Sequence, residues 1–243
     1  MKVRLYMLIS SSWVARIVPL SLKDKVDPSR AALLVIDVQN DYFMPEGVFA
    51  RLGYDTNMCM EMIPKLVNLI KEARRSSLPI IYVMSIYNTR PNWYLSEVWL
   101  DHKRRRQAKL FTTITALEKG SWGCEIAEAI KPRDNDVLVV KHRYDAFLGT
   151  DLDLILRSRG INSVILTGLT TNVCVETTAR GAFMRDYNVV FVSDCTASHE
   201  PELHDATLKN IDKYFGVVAR SDEVMKCWRS DNVTNKRARR TVG

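Results

Sequence analysis

The chain has 243 residues, of which 47% are hydrophobic and 26% charged, a composition typical of one globular domain with a large core. Its formal net charge of +7 lies at the two ends. Residues 1–30 hold six Lys/Arg against two Asp (net +4) and residues 229–243 hold five against one (net +4), which leaves −1 for residues 31–228. Because short basic ends are usually solvated, we predict no nucleic-acid partner.

The cysteines and the apolar runs exclude further classes of protein. Five cysteines are an odd number and none has C-x-x-C spacing, which argues against a disulfide framework and a structural zinc site and favours a reducing cytoplasm. The apolar run near the N-terminus is interrupted by three serines and is too short to span a bilayer. We therefore predict a cytoplasmic protein without a membrane partner. Its parts are an N-terminal extension at 1–30, one domain at 31–228 and a flexible basic tail at 229–243.

From residue 31 onward, apolar β-like runs alternate with helical patterns. The predicted strands are 31–36, 79–84, 136–140, 163–167, 188–192 and 216–219. The predicted helices are 62–76, 122–130, 152–159, one that opens near Asn172, and 201–214. Residues 86–120 lack clean periodicity and are expected to form an insertion over one end of the sheet. Since the strands are continuously apolar rather than alternating, the pattern predicts an α/β fold whose parallel sheet has helices on both faces.

Three reactive side chains stand at the ends of candidate strands. Asp37 follows the first strand, Lys141 follows the third, and Cys174 opens the helix after the fourth. Because open parallel sheets bind ligands at the carboxyl ends of their strands, we expect these side chains to share one rim. A helix start favours an anion, so the position predicts a thiol biased toward thiolate. A carboxylate base, an ammonium group and a thiolate can together attack an amide-like carbon.

Each of these positions also has an ordinary structural explanation. A buried thiol, a turn-forming aspartate and an exposed lysine would need no function. Histidine is the rival base. However, His142 is expected on the opposite face of its strand from Lys141, while His199 and His204 are expected in a loop and on a helix surface.

Three segments resemble those of a known family: L-L-V-I-D-V-Q-N-D-Y at 33–42, V-V-K-H-R-Y at 139–144 and G-L-T-T-N-V-C-V-E-T-T at 168–178. In this order they are similar to the signature segments of the isochorismatase-like cysteine hydrolases, and they span almost all of residues 31–220. The resemblance implies a three-layer sandwich with a six-stranded parallel sheet in the order 3-2-1-4-5-6.

The same resemblance implies site residues. It implies a catalytic triad of Asp37, Lys141 and Cys174. It also implies a cis peptide between Leu169 and Thr170, with the backbone N–H groups of Thr170 and Cys174 as the oxyanion hole.

Departures from the family pattern indicate the subfamily. Isochorismatases proper lack the nucleophilic cysteine, so Cys174 favours a hydrolase of C–N bonds. Nicotinamidases carry a D-x-H metal motif and a second histidine in the region that corresponds to residues 45–85, where this chain has no histidine, so we predict no metal and no cofactor. The nearest resemblance is to ureidoacrylate amidohydrolases and to biuret or N-carbamoyl hydrolases. It is carried by G-Y-D at 53–55, K-G-S-W at 119–122 and T-D-L-D-L-I-L-R-S-R-G-I at 150–161.

The sequence therefore predicts a cysteine-dependent amidohydrolase that cleaves a C–N bond of a small ureido or N-carbamoyl compound through a covalent intermediate. The alternatives are a metal-free hydrolase of a plain carboxamide and a non-catalytic binding protein on the same fold. Aromatic walls and a cationic mouth suit a planar ureido acid. The residues expected there are Tyr42, Trp93 and Tyr144 at the substrate and the arginines at 90 and 104–106 at its carboxylate. Trp93 and Trp99 have the alternative role of anchoring the insertion. We also expect a homo-oligomer, either a dimer or a tetramer.

Overall fold

The computed structural model describes residues 20–89, 91, 93–106 and 116–229, apart from the side chains of 103–106. Its centre is a six-stranded sheet in the order β3-β2-β1-β4-β5-β6 in which every pairing is parallel. The fold class and strand order are therefore confirmed. The strands are β1 (Ala31–Ile36), β2 (Ile80–Ser85), β3 (Val137–Lys141), β4 (Ser163–Leu169), β5 (Asn188–Ala197) and β6 (Val217–Ala219).

Helices surround this sheet, and the described chain also contains three shorter helical turns. The helices are α1 (Leu22–Lys25), α2 (Asn40–Phe43), α3 (Val48–Arg51), α4 (Asn57–Arg75), α5 (Glu97–Arg106), α6 (Leu152–Ser158), α7 (Glu176–Phe183), α8 (Pro201–Tyr214) and α9 (221–229). The shorter turns are the 3₁₀ turns Trp122–Cys124 and Glu128–Ile130 and the π-helical turn Thr171–Val175.

The two faces of the central strand β1 are both covered, which explains its uninterrupted apolar sequence. Leu33 packs in one core with Leu66 of α4. Leu34 points to the other face, where it packs in a second core with Leu156 of α6 and Ala179 of α7. Burial of each such leucine contributes about 1.5–3 kcal/mol. The strand is therefore fixed from both sides, and its carboxyl end is a rigid support for the residues that follow.

One predicted helix, 122–130, is wrong. The chain forms two separate 3₁₀ turns there because side chains from the segment after β1 take up its carbonyl groups. Asn40 donates to Trp122 O at 2.8 Å and Gln39 donates to Cys124 O at 2.7 Å. Gly123 lies against the carboxyl group of Asp41, where a Cβ atom would overlap it. These contacts replace the regular hydrogen bonds that a continuous helix needs.

Other elements differ from the predictions at their ends. α4 begins at Asn57 rather than at residue 62 and contains Pro64. β5 continues through polar residues to Ala197, five residues beyond the predicted end at 192, since its last part pairs with Gly168 and Leu169 of β4. Residues 86–120 do contain a helix, α5.

Both described chain ends pack against the domain. Val26 is fully buried, and Trp228 in α9 donates its indole N–H to Val26 O at 2.8 Å. Part of the predicted extension, residues 20–30, therefore packs against α9. The domain boundaries at 30 and 229 stay predictions.

Candidate active site

Three parallel strands bring Asp37, Lys141 and Cys174 together. Asp37 follows β1, Lys141 ends β3, and Cys174 lies in the turn after β4. Lys141 Nζ is 2.7 Å from Asp37 Oδ2 and 3.3 Å from Cys174 Sγ. The Asp37 and Lys141 side chains are fully buried, and Cys174 is 2% exposed. The strands therefore carry these groups to one rim, as expected, while their catalytic roles stay predictions.

The charge state of Cys174 differs from the sequence prediction. The residue does lie where a helix begins, in the π-helical turn that leads into α7. However, burial and the charge of Asp37 raise the pKa of the Cys174 thiol to about 12, although Lys141 opposes this rise. The expectation that the helix start biases this thiol toward thiolate is therefore wrong, because desolvation outweighs the partial charge of a helix start. Burial alone would lower the pKa of Lys141, but Asp37 and Cys174 raise it, so this group remains an ammonium.

A glycine lets the turn that carries Cys174 approach β1. Gly168 has φ +112°, and a Cβ atom there would overlap Ile36 O. A larger residue would therefore push the end of β4 away from Asp37. The peptide bond between Leu169 and Thr170 is cis, as the family resemblance implies.

Gln39 and Ser85 hold the rim together, and the sequence reasoning did not identify either. The Gln39 amide accepts from Ser85 N at 2.8 Å and donates to Ser85 O at 2.9 Å. The Ser85 hydroxyl in turn accepts from Lys141 Nζ at 2.8 Å. Lys141 also donates to Arg143 O at 3.1 Å, so its ammonium is fixed by hydrogen bonds on several sides. The only sequence signal for Gln39 was its place in the first signature segment.

Aromatic side chains form a wall from Cys174 outward. The Tyr87 hydroxyl lies 3.8 Å from Cys174 Sγ. Its ring packs at 5.5 Å from Trp99, which in turn packs at 4.7 Å from Tyr144. The guanidinium group of Arg143 lies 5.0 Å above the Trp99 ring. The wall therefore joins the thiol to a cation through two rings, Tyr87 and Trp99, with Tyr144 packed beside Trp99.

The residues predicted to bind substrate have different surroundings. Tyr42 is 4% exposed and close enough to Asp37 and Cys174 for their charges to raise its pKa, after burial and Tyr87. Tyr144 belongs to the wall through Trp99. Trp93 is 84% exposed. The arginine at 90 and the side chains at 104–106 lie outside the described part of the chain. The roles of all these residues in substrate binding stay predictions.

The histidines do not take the place of the base. His142 has Nδ1 2.7 Å from Ile86 O and stacks on Tyr94. His199 lies in the loop after β5, as expected, although it is buried. The expected helix-surface position of His204 is wrong, since this residue is only 7% exposed. Each is hydrogen-bonded within the fold, His199 to Tyr42 O at 2.8 Å and His204 to the hydroxyl of Thr171 at 2.8 Å. Packing against neighbouring elements buries them, which a local sequence pattern does not reveal.

The described residues contain neither a metal-ligand cluster nor a membrane-spanning helix. Within the described ranges, no group of three His, Cys, Asp or Glu side chains is arranged to hold a metal ion. No helix of the described residues is long and apolar enough to cross a membrane. The prediction of a metal-free reaction stays a prediction.

Comparison with known proteins gives the class of this chain. The family described as the Isochorismatase domain matches residues 31–223, so the chain belongs to the isochorismatase family. Among curated proteins it is 34% identical over 204 residues to the ureidoacrylate amidohydrolase RutB of Methylobacterium radiotolerans, covering 80% of this chain and 78% of that protein. It is 32% identical over 215 residues to the RutB of Agrobacterium fabrum, covering 84% and 91%.

Solved structures place the chain in the same group. The cysteine hydrolase of Pseudomonas syringae pv. phaseolicola superposes with a TM-score of 0.73 at 27% identity, covering 85% of this chain and 95% of that one. The N-carbamoylsarcosine amidase of Thermoplasma acidophilum gives 0.63 at 30% identity, covering 79% and 97%. The predicted family is confirmed, and so is the predicted enzyme class, a hydrolase of non-peptide C–N bonds.

Proposed function

We propose that this chain is a cysteine amidohydrolase that cleaves the C–N bond of a small ureido or N-carbamoyl compound. The observation that carries the proposal is the contact of Lys141 with both Asp37, at 2.7 Å, and Cys174, at 3.3 Å, in a fully buried cluster. A nucleophile, a proton acceptor and a cation are thereby within reach of one substrate atom. The substrate class is supported by the names of the relatives, which are ureidoacrylate amidohydrolases and an N-carbamoylsarcosine amidase.

The first chemical step moves a proton inside the cluster. The thiol proton passes from Cys174 Sγ to the Asp37 carboxylate, and the thiolate attacks the carbamoyl carbon of the substrate. Lys141 stays protonated, because Asp37 and Cys174 raise its pKa. The oxygen of the tetrahedral intermediate is stabilised by the backbone N–H groups of Thr170 and Cys174.

The second half of the reaction returns the cluster to its starting state. Asp37 gives its proton to the departing nitrogen, the C–N bond breaks, and the amine product leaves an S-carbamoyl group on Cys174. Water then attacks this carbon while Asp37 accepts a proton from the water. The C–S bond breaks, Cys174 regains its proton from Asp37, and carbamic acid leaves. Every proton is thus handled by Asp37, which alternates between base and acid.

The aromatic wall supports a small planar substrate. Tyr42 and Tyr144 would lie against the ureido group and exclude water, with Trp93 proposed as a further contact. Among the described cations, Arg143 lies over Trp99 at the outer end of the wall, and a guanidinium group there suits a substrate carboxylate. We further propose a cytoplasmic homo-oligomer that needs no metal or cofactor.

A hydrolysis screen tests the proposal. Purified protein is incubated with N-carbamoyl-β-alanine, N-carbamoylsarcosine, biuret and nicotinamide, and amine or ammonia release is measured. We expect the highest kcat/KM for an N-carbamoyl acid and no turnover in Cys174→Ala. Faster turnover of nicotinamide than of every ureido compound would replace the substrate class with plain carboxamides. Binding of these compounds without turnover of any would favour a non-catalytic binding protein.

A further inference from the structure

Tyr87 contacts the sulfur of Cys174 but takes no part in the proton transfers assigned to Asp37. It stands two residues beyond the end of β2 and is 6% exposed. Its hydroxyl oxygen lies 3.8 Å from Cys174 Sγ, within hydrogen-bond range for sulfur. Trp99 packs against the ring at 5.5 Å. The position of Tyr87 just after β2 and its packing against Trp99 therefore direct the hydroxyl toward the thiol of Cys174.

The other hydrogen bonds of Tyr87 determine which way its own proton points. Ser85 Oγ donates to the Tyr87 oxygen at 3.2 Å, and the Tyr42 hydroxyl also donates to it. A phenolic oxygen accepts two hydrogen bonds and donates one, so these contacts use both acceptor positions. Once Cys174 is ionised its sulfur has no proton, so Tyr87 is the donor in their 3.8 Å contact.

This arrangement links the sulfur to Lys141 by a second route. Lys141 Nζ donates to Ser85 Oγ at 2.8 Å, Ser85 donates to Tyr87, and Tyr87 reaches Cys174. Hydrogen bonds in such a chain polarise one another in the same direction, away from the ammonium group and toward the sulfur. Burial, Cys174 and Asp37 raise the pKa of Tyr87 well above its usual value, so the phenol keeps its proton when a thiolate forms.

We propose that Tyr87 is an additional catalytic residue, which donates a hydrogen bond to the Cys174 thiolate and stabilises it before attack. No proton is transferred in this contact: the thiol proton goes to Asp37, and Tyr87 retains its own. The inference rests on the proposed role of Cys174 as the nucleophile and adds a second donor to the sulfur, beside Lys141 Nζ at 3.3 Å.

The test measures the thiol directly and needs no substrate. Alkylation of Cys174 by iodoacetamide is followed by peptide mass spectrometry from pH 7 to pH 10 in the native protein and in Tyr87→Phe. A hydrogen bond to an ionised acceptor typically changes an equilibrium by about ten-fold or more. We therefore expect the pKa of Cys174 to rise by about one unit and the thiolate fraction at pH 8 to fall about ten-fold. Because a more basic thiolate is a stronger nucleophile, the rate constant should fall about three-fold. The phenyl ring keeps the volume of Tyr87, so access of the reagent is maintained.

Tyr82→Phe is the matched control. Tyr82 is likewise buried and lies in β2, the strand that precedes Tyr87, but its hydroxyl accepts from Arg74 at 3.3 Å. Its alkylation profile should equal that of the native protein. An unchanged profile in Tyr87→Phe would overturn the proposal, even if kcat fell, because Tyr87 would then serve the substrate or the packing rather than the sulfur.

Alkylation of Cys174 in Tyr42→Phe is a second test, which leaves the Tyr87 phenol in place. Because Tyr42 donates to Tyr87, loss of its hydroxyl should slow alkylation by up to about two-fold in the native background, and it should have a smaller effect when residue 87 is already Phe. If Tyr87→Phe does not fold, the alkylation rate of Tyr42→Phe is the deciding measurement. An unchanged rate would then refute the proposed hydrogen bond from Tyr87 to the thiolate. A screen that finds no ureido hydrolysis would refute the proposed function while leaving these thiol measurements interpretable.

Discussion

Asp37→Asn should lower turnover and yet make the thiol more reactive. The Asp37 oxygen and the Cys174 sulfur both contact Lys141 Nζ, at 2.7 Å and 3.3 Å, so these two atoms lie at most about 6 Å apart, the sum of the two distances. At an effective dielectric constant of about 20, two unit charges at ~6 Å repel by about 3 kcal/mol. This repulsion corresponds to about two pKa units. Removal of the carboxylate charge should therefore lower the pKa of Cys174 from about 12 by about that amount.

The rate effects follow from this shift. At pH 8 the thiolate fraction rises about a hundred-fold, but a less basic thiolate is a weaker nucleophile, so iodoacetamide should react about ten-fold faster. Turnover should fall by about 10² or more, because the amide cannot accept the thiol proton. The assay compares site-resolved alkylation with kcat in the same preparation. Slower alkylation of Asp37→Asn would refute the charge coupling, and near-normal kcat would make Asp37 a structural turn residue.

Lys141→Met is the control, because it should change the alkylation rate in the opposite direction to Asp37→Asn. The Lys141 charge lowers the pKa of Cys174, so its removal should slow alkylation as well as turnover. Both variants leave one buried charge without its partner, which costs about 3–5 kcal/mol of stability. Thermal melts therefore have to establish that each variant is folded at the assay temperature.

The remaining predictions concern the thiol, the metal and the tail. Because the pKa of Cys174 is raised to about 12, native alkylation should keep rising with pH through pH 10, and a plateau near pH 7 would indicate a resting thiolate. Cys174→Ser should retain the fold and lose orders of magnitude in kcat, since an alcohol ionises less readily than a thiol. Exhaustive chelation should leave kcat unchanged, and a loss restored by zinc or manganese would contradict this. Removal of 229–243 should leave kcat near normal, because the described residue of the tail, Arg229, is exposed and its ion pair with Glu72 is worth about 0–1 kcal/mol. A collapse in kcat would mean that the tail completes the site.

The sequence was sufficient to predict the fold and the meeting of the three reactive side chains. Continuous apolar strands require a parallel sheet, and a parallel sheet brings its carboxyl ends to one edge. Asp37, Lys141 and Cys174 each stand directly at such an end, so strand boundaries alone place them together. No single one of the three positions would have been enough, because each residue also has an ordinary structural explanation.

The parts that were missed depend on contacts between distant segments. Tyr87 reaches Cys174 across 87 positions of sequence, from an insertion without a clear periodic pattern. The 3₁₀ turns at 122–130 form because Gln39 and Asn40 capture their carbonyl groups. The direction of the Cys174 pKa shift depends on burial and on the distance to Asp37, and neither quantity can be read from a position at the start of a helix.

The raised pKa of Cys174 is compatible with its proposed role as a nucleophile because the cluster acts as one unit. In the resting site the thiol is neutral, and the charges of Asp37 and Lys141 cancel. Loss of the thiol proton to solvent would leave a net negative charge in a fully buried place, which burial strongly disfavours. Transfer of the same proton to Asp37 leaves the net charge at zero, with the thiolate now paired with Lys141 at 3.3 Å. The geometry therefore disfavours a permanently ionised thiol while permitting ionisation when a substrate is present to be attacked.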